Sequence, residues 1–80
     1  MLGKQKISFG SAFGIVLRRL RTKAGISQEK LALEAEMQRN YISLIELGRN
    51  QPSLTSIFKL ANALEISPSK LVKLVEDELN

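Results

Sequence analysis

The stretch from Ser27 to Gly48, SQEKLALEAEMQRNYISLIELG, leaves little freedom in how the chain can fold. Leu31, Ala32 and Ala35 fall on one side of a helix that Ser27 would cap, and Ile42 and Ile45, three residues apart, fall on one side of a second. The turn at Ala35-Glu36-Met37 is short, and the small Ala32 and Ala35 let another helix pack closely across the first. Met37 is expected as a buried plug and Gln38 as the cap of the second helix. Gln38, Arg39, Asn40 and Ser43 then project away from the buried side. Arg, Asn and Gln carry the paired donors and acceptors that match base edges in a DNA major groove. An ordinary solvated helix face would look the same in isolation, so the rest of the chain has to decide.

Eighty residues form one domain, near the lower end of what buries a self-sufficient core. The hydrophobic fraction of 44% is ordinary, and no apolar run is long enough to cross a membrane. The N-terminus lacks a signal-peptide core, so the expected location is cytoplasmic. The chain has neither cysteine nor histidine, which removes the thiolate and the commonest general base and metal ligand. An enzyme is not expected, nor a metal, a cofactor or a small-molecule ligand; a pocket gathering two carboxylates from Glu29, Glu34, Glu36 and Glu46 would reverse that reading. The net charge of +4 is unevenly spread. Eight cations, among them Arg18, Arg19, Arg21 and Lys23, precede Tyr41, whereas Glu65, Glu76, Asp77 and Glu78 make the back slightly acidic. Such asymmetry suits a polyanion on one side.

The remaining segments read as helices too. Residues 1–10 are expected to be a flexible arm, and residues 11–80 the folded domain. The first helix starts at Ser8 or Ser11, runs to about Lys23 or Ala24, turns Phe13, Val16, Leu17 and Leu20 inward and stops at Gly25. Arg49-Asn50-Gln51-Pro52 is a loop, after which Ser53 caps a core helix carrying Leu54, Ile57, Phe58, Leu60, Ala61 and Leu64. Ser67-Pro68 starts the last helix, residues 67–79. Its apolar residues Leu71, Val72, Leu74, Val75 and Leu79 spread too widely for one small core to cover, so this helix is expected to meet a second copy of the chain.

Arg21, Gly25-Ile26-Ser27-Gln28-Glu29-Lys30-Leu31-Ala32, Tyr41-Ile42-Ser43-Leu44-Ile45-Glu46-Leu47-Gly48 and Pro52-Ser53-Leu54 together resemble the Cro-type helix-turn-helix regulators, also called the XRE or lambda-repressor-like family. The likeness covers about residues 12–72. Within the family, Arg39-Asn40-Tyr41-Ile42-Ser43, followed by Gly48-Arg49-Asn50, is similar to controller proteins of restriction–modification systems, which are small homodimers on palindromic operators. The resemblance implies an all-α, five-helix domain with the helix-turn-helix at helices 2 and 3, binding double-stranded DNA.

The resemblance also implies roles. Gln38, Arg39, Asn40 and Ser43 would read bases. Gln28, Tyr41, Arg49, Asn50 and Gln51, with Lys30 and Lys23 in second rank, would contact phosphates. Arg21 and Glu46 match a pair that forms a structural salt bridge in relatives. Two departures stand out: Glu36 occupies a position that is often glycine because the turn needs a positive φ, and Leu47 one that is often arginine. An antitoxin or phage-type repressor whose last helix binds a partner protein shares much of this scaffold, and the neighbouring gene would tell these apart.

Overall fold

A computed structural model describes residues 7–80, and all statements below concern those residues. Serine starts most of the helices. Ser8, Ser27, Ser53 and Ser67 each take an extended conformation and accept a hydrogen bond from the amide three residues on, opening α1 (Phe9–Lys23), α2 (Gln28–Ala35), α4 (Leu54–Ala63) and α5 (Pro68–Leu79). Pro68 occupies the first turn of α5, where its missing N–H leaves no gap. The remaining helix, α3 (Arg39–Glu46), starts at Gln38 without a side-chain cap.

The stops are equally uniform. At the ends of α1, α2, α3 and α4, a residue with positive φ is followed by an amide that reaches back five positions: Ile26 to Arg21, Met37 to Ala32, Arg49 to Leu44 and Ile66 to Ala61. Glycine supplies two of these bends, Gly25 at φ 74° and Gly48 at φ 76°. Glutamate supplies the other two, Glu36 at φ 57° and Glu65 at φ 60°. Glu36 therefore holds the left-handed conformation that its place in the helix-turn-helix demands, at a cost on the order of 1 kcal/mol. Glu65 does the same between α4 and α5, and nothing in Leu64-Glu65-Ile66 announces it.

The helices close round a single core of Phe13, Val16 and Leu17 from α1, Leu31, Ala32 and Ala35 from α2, Ile42 and Ile45 from α3, Leu60 and Ala61 from α4, and Leu71 from α5. α1 packs on α3 and α5, and α2 on α3 and α4. Met37 is only partly buried, at the edge of this core.

The outer elements differ from the sequence-based expectation in three respects. Phe9 and Gly10 are helical, so of the expected arm 1–10 only residues 1–8 precede α1, with Ser8 as its cap, and residues 1–6 lie outside the described part. On α4, Leu54 and Phe58 are 70% and 50% exposed, because the core takes the neighbouring stripe of Ile57, Leu60, Ala61 and Leu64. On α5, Leu71 is fully buried in its own chain, so it cannot form part of a contact with a second copy.

Candidate nucleic-acid interface

α3 is fastened at one end and free at the other. At its C-terminal end the Glu46 carboxylate receives two bonds from the Arg21 guanidinium, Nε to Oε2 at 2.6 Å and Nη2 to Oε1 at 3.1 Å. This bidentate fork is the geometry that suits arginine and not lysine. Arg21 Nη1 donates in addition to the Ile26 carbonyl at 2.9 Å, just before α2, and the Gln28 side-chain amide donates to Glu46 Oε1 at 3.0 Å. One carboxylate thus ties α1, α2 and α3 together. The Arg21 and Glu46 side chains are 12% and 4% exposed, which puts the pair in a poorly screened setting.

The hydrogen bond to Glu46, reinforced by its charge and opposed by burial, raises the Arg21 pKa above its ordinary value. A group with a raised folded pKa contributes fully below its unfolded value and loses that contribution only as pH rises through the folded one. For a guanidinium that window lies at extreme alkalinity, so Arg21 keeps the cluster intact across neutral pH.

Backbone approach fixes α3 as well. A Cβ on Gly14 of α1 would fall onto the Ile45 carbonyl oxygen and come within 2.8 Å of that of Glu46. Only glycine permits this contact.

At the N-terminal end of α3, Gln38, Arg39 and Asn40 are exposed in succession. Gln38 makes no side-chain capping bond, so its amide is available. Arg39 lies at the first helical position, beyond the reach of the Glu46 cluster at the other end of the helix. Tyr41 is half-buried and packs against the core, and Ser43 is half-buried one turn further along the outer side. Leu47 is 63% exposed at the end of α3. Arg49, Asn50 and Gln51 follow in the loop after Gly48, Arg49 and Gln51 exposed and Asn50 half-buried.

Three residues expected at phosphates have other surroundings. Gln28 is half-buried and engaged with Glu46, although its carbonyl oxygen and second amide hydrogen are uncommitted in that bond. Lys23 lies in a groove with Leu64, Lys70 and Leu74, against α5 and not beside α3. Lys30 pairs with Glu34 at 3.2 Å on the exposed side of α2, an interaction of little energetic weight. Of the acids whose gathering would suggest catalysis, Glu46 is held by Arg21 and Gln28, and Glu34 by Lys30.

The residues Leu17 to Leu71 match the helix-turn-helix family model. The control protein C.BamHI of Bacillus amyloliquefaciens is 44% identical over 61 residues, covering 75% of this chain and 75% of that protein. Among solved structures, the restriction–modification controller protein C.AhdI from Aeromonas hydrophila is 45% identical with a TM-score of 0.75, covering 78% of this chain and 94% of that one. The controller C.Esp1396I, solved as a tetramer with its natural 35 base-pair operator, superposes with a TM-score of 0.83 at 26% identity, covering 92% and 97%. With a free polar helix end carried on a locked helix-turn-helix, the chain belongs to the Cro-type helix-turn-helix family of sequence-specific DNA-binding regulators and closely matches the restriction–modification controller proteins.

Proposed function

We propose that the protein is the controller of a restriction–modification system and acts in the cytoplasm as a symmetric homodimer on a palindromic operator. The observation that carries this reading is the contrast within α3: Gln38, Arg39 and Asn40 stand exposed while Arg21, Gln28 and Gly14 hold the rest of the helix. A side chain that reads bases must be free to bond and mounted on something that does not move. The operator complex of C.Esp1396I supports the same use of the scaffold.

In this reading α3 enters the major groove, with Arg39 forked on a guanine and Gln38, Asn40 and Ser43 at neighbouring base edges. Tyr41, Arg49, Asn50 and Gln51 contact phosphates on one flank, and Gln28 and Lys30 on the other, setting register and supplying salt-dependent affinity. Lys23 is left out of this set because it faces α5.

The dimer surface is narrower on α5, and wider overall, than that helix alone would make it. Val72 and Val75 line an apolar notch with Phe9, Pro52 and Ile57, and Leu54 and Phe58 extend it along α4. Leu79, a further two turns along from Val72, stands on the same side of α5. Leu74 points elsewhere. Exposed apolar side chains gathered in this way mark a contact surface. Pro52 and Gln51 link the notch to the loop that follows α3, so pairing two copies there would fix the separation of the two recognition helices near the ~34 Å repeat of the duplex.

Selection of bound oligonucleotides from a random pool tests the proposal. A two-fold symmetric consensus is expected; enrichment of an asymmetric site, or of none, would overturn it. Phe58→Asp should shift the protein to monomer in sedimentation and weaken binding to the full site much more than to a half-site.

A further inference from the structure

Between α1 and α5, on the side of α5 away from Val72, runs an open groove of about 490 Å³ that DNA recognition does not use. Its floor includes Leu20, Leu64 and Leu74, each only partly buried. Its rim carries Arg19, Lys23 and Lys70, and no carboxylate is among the residues that line it. Arg19 is already paired with Glu78, which lies one turn beyond Leu74 on the same face of α5, at 2.8 Å, so the unpaired charge of the rim is that of Lys23 and Lys70. Lys23 and Lys70 have no acidic partner among the described residues.

We infer that this groove docks an acidic amphipathic helix of a partner protein, its apolar residues on Leu20, Leu64 and Leu74 and its carboxylates facing Lys23 and Lys70. Three features favour that occupant. Apolar residues laid in a groove between two helices are the usual footprint of a bound helix, whose backbone is already satisfied. A small-molecule site would enclose most of its ligand and aim a few buried polar groups at it. This groove is open along one side, and every buried side-chain polar atom among the described residues already has its partner. The one-sided charge of the rim excludes a basic segment and selects an acidic one.

The groove and the proposed dimer surface do not compete. Lys70 and Leu74 are each two residues from Val72, which on an α-helix turns them about 160° away from it. The docked helix would therefore sit on the back of a DNA-bound dimer, and the inference does not depend on which operator the dimer binds.

The test uses the full chain and two fluorescein-labelled synthetic helical peptides. Each carries leucines at i, i+3 and i+7; one has glutamates on the flanks and the other glutamines. The glutamate peptide should bind saturably, with amide NMR shifts concentrated at Leu20, Lys23, Leu64, Lys70 and Leu74. Lys70→Glu should weaken it at least tenfold and Lys70→Arg should restore it, while neither changes affinity for selected DNA. Equal binding of the glutamine peptide, shifts centred on Phe58 and Val72, or absence of shifts in the groove would overturn the inference. So would decanoate giving these shifts where the glutamate peptide does not, which would assign the groove to a small amphipathic anion.

Discussion

The two ends of α3 are built on opposite plans. Its last residue, Glu46, is almost wholly buried and accepts three hydrogen bonds from two side chains. Its first residue, Arg39, is exposed, and the residue before it caps nothing. Both ends are polar, so polarity says nothing about their roles; what separates them is whether the bonding capacity is already spent. A satisfied cluster fixes where the helix lies, and an unsatisfied one is left to bind something that the folded chain does not contain.

Breaking the fastened end should have the largest effect. Glu46→Ala leaves the Arg21 guanidinium with only the Ile26 carbonyl in a largely buried place, and removing one partner of such a pair costs about 3 kcal/mol. Urea denaturation should show that loss, and affinity should fall for all DNA sequences together. Breaking the free end should do the reverse. Arg39→Ala should leave the denaturation midpoint nearly unchanged and remove ~1–3 kcal/mol of discrimination at one base pair of each half-site, measured on a panel of operator variants. A uniform loss across that panel would move Arg39 from base reading to phosphate contact.

Gln28 lies between the two plans and sharpens the contrast. Gln28→Ala removes a hydrogen bond to a charged group and should cost about 1.5 kcal/mol of stability. If the same amide also touches a phosphate, affinity drops equally for all sequences while its salt dependence stays as it was, because a neutral side chain releases no counterion. The smallest effect is expected at the turn in front of α3. Glu36→Gly relieves the left-handed glutamate and should raise stability by up to ~1 kcal/mol, a rise of several degrees in Tm, without altering the selected consensus. A fall in Tm would show that Glu36 carries a contact worth more than its strain.

Much of this could be read from the residues, and the parts that could not share a physical cause. Serine caps and the patterns around Gly25, Gly48 and Ser67-Pro68 are local signals, and they locate the helices because capping is decided within a few residues. The strain at Glu36 was legible only against the family pattern, and the equal strain at Glu65 had no pattern to betray it. The exposure of Leu54 and Phe58 and the burial of Leu71 are not legible in the sequence, because periodicity shows that a stripe is apolar but not which of two adjacent stripes the other helices cover. The groove at Lys23 and Lys70 depends on residues far apart in the chain, brought together only by the packing of α1 on α5.

Gly14 gives the molecule a fulcrum. Because the backbones of α1 and α3 touch at this point, any side chain there would act as a wedge and tip α3 about its Glu46 end. The far tip, at Gln38 and Arg39, would travel furthest, and in a two-fold assembly the error would appear twice, in opposite senses, along a duplex whose repeat does not adjust. A single added methyl would thus be felt as a mismatch of spacing, although no side chain at the exposed end had been changed.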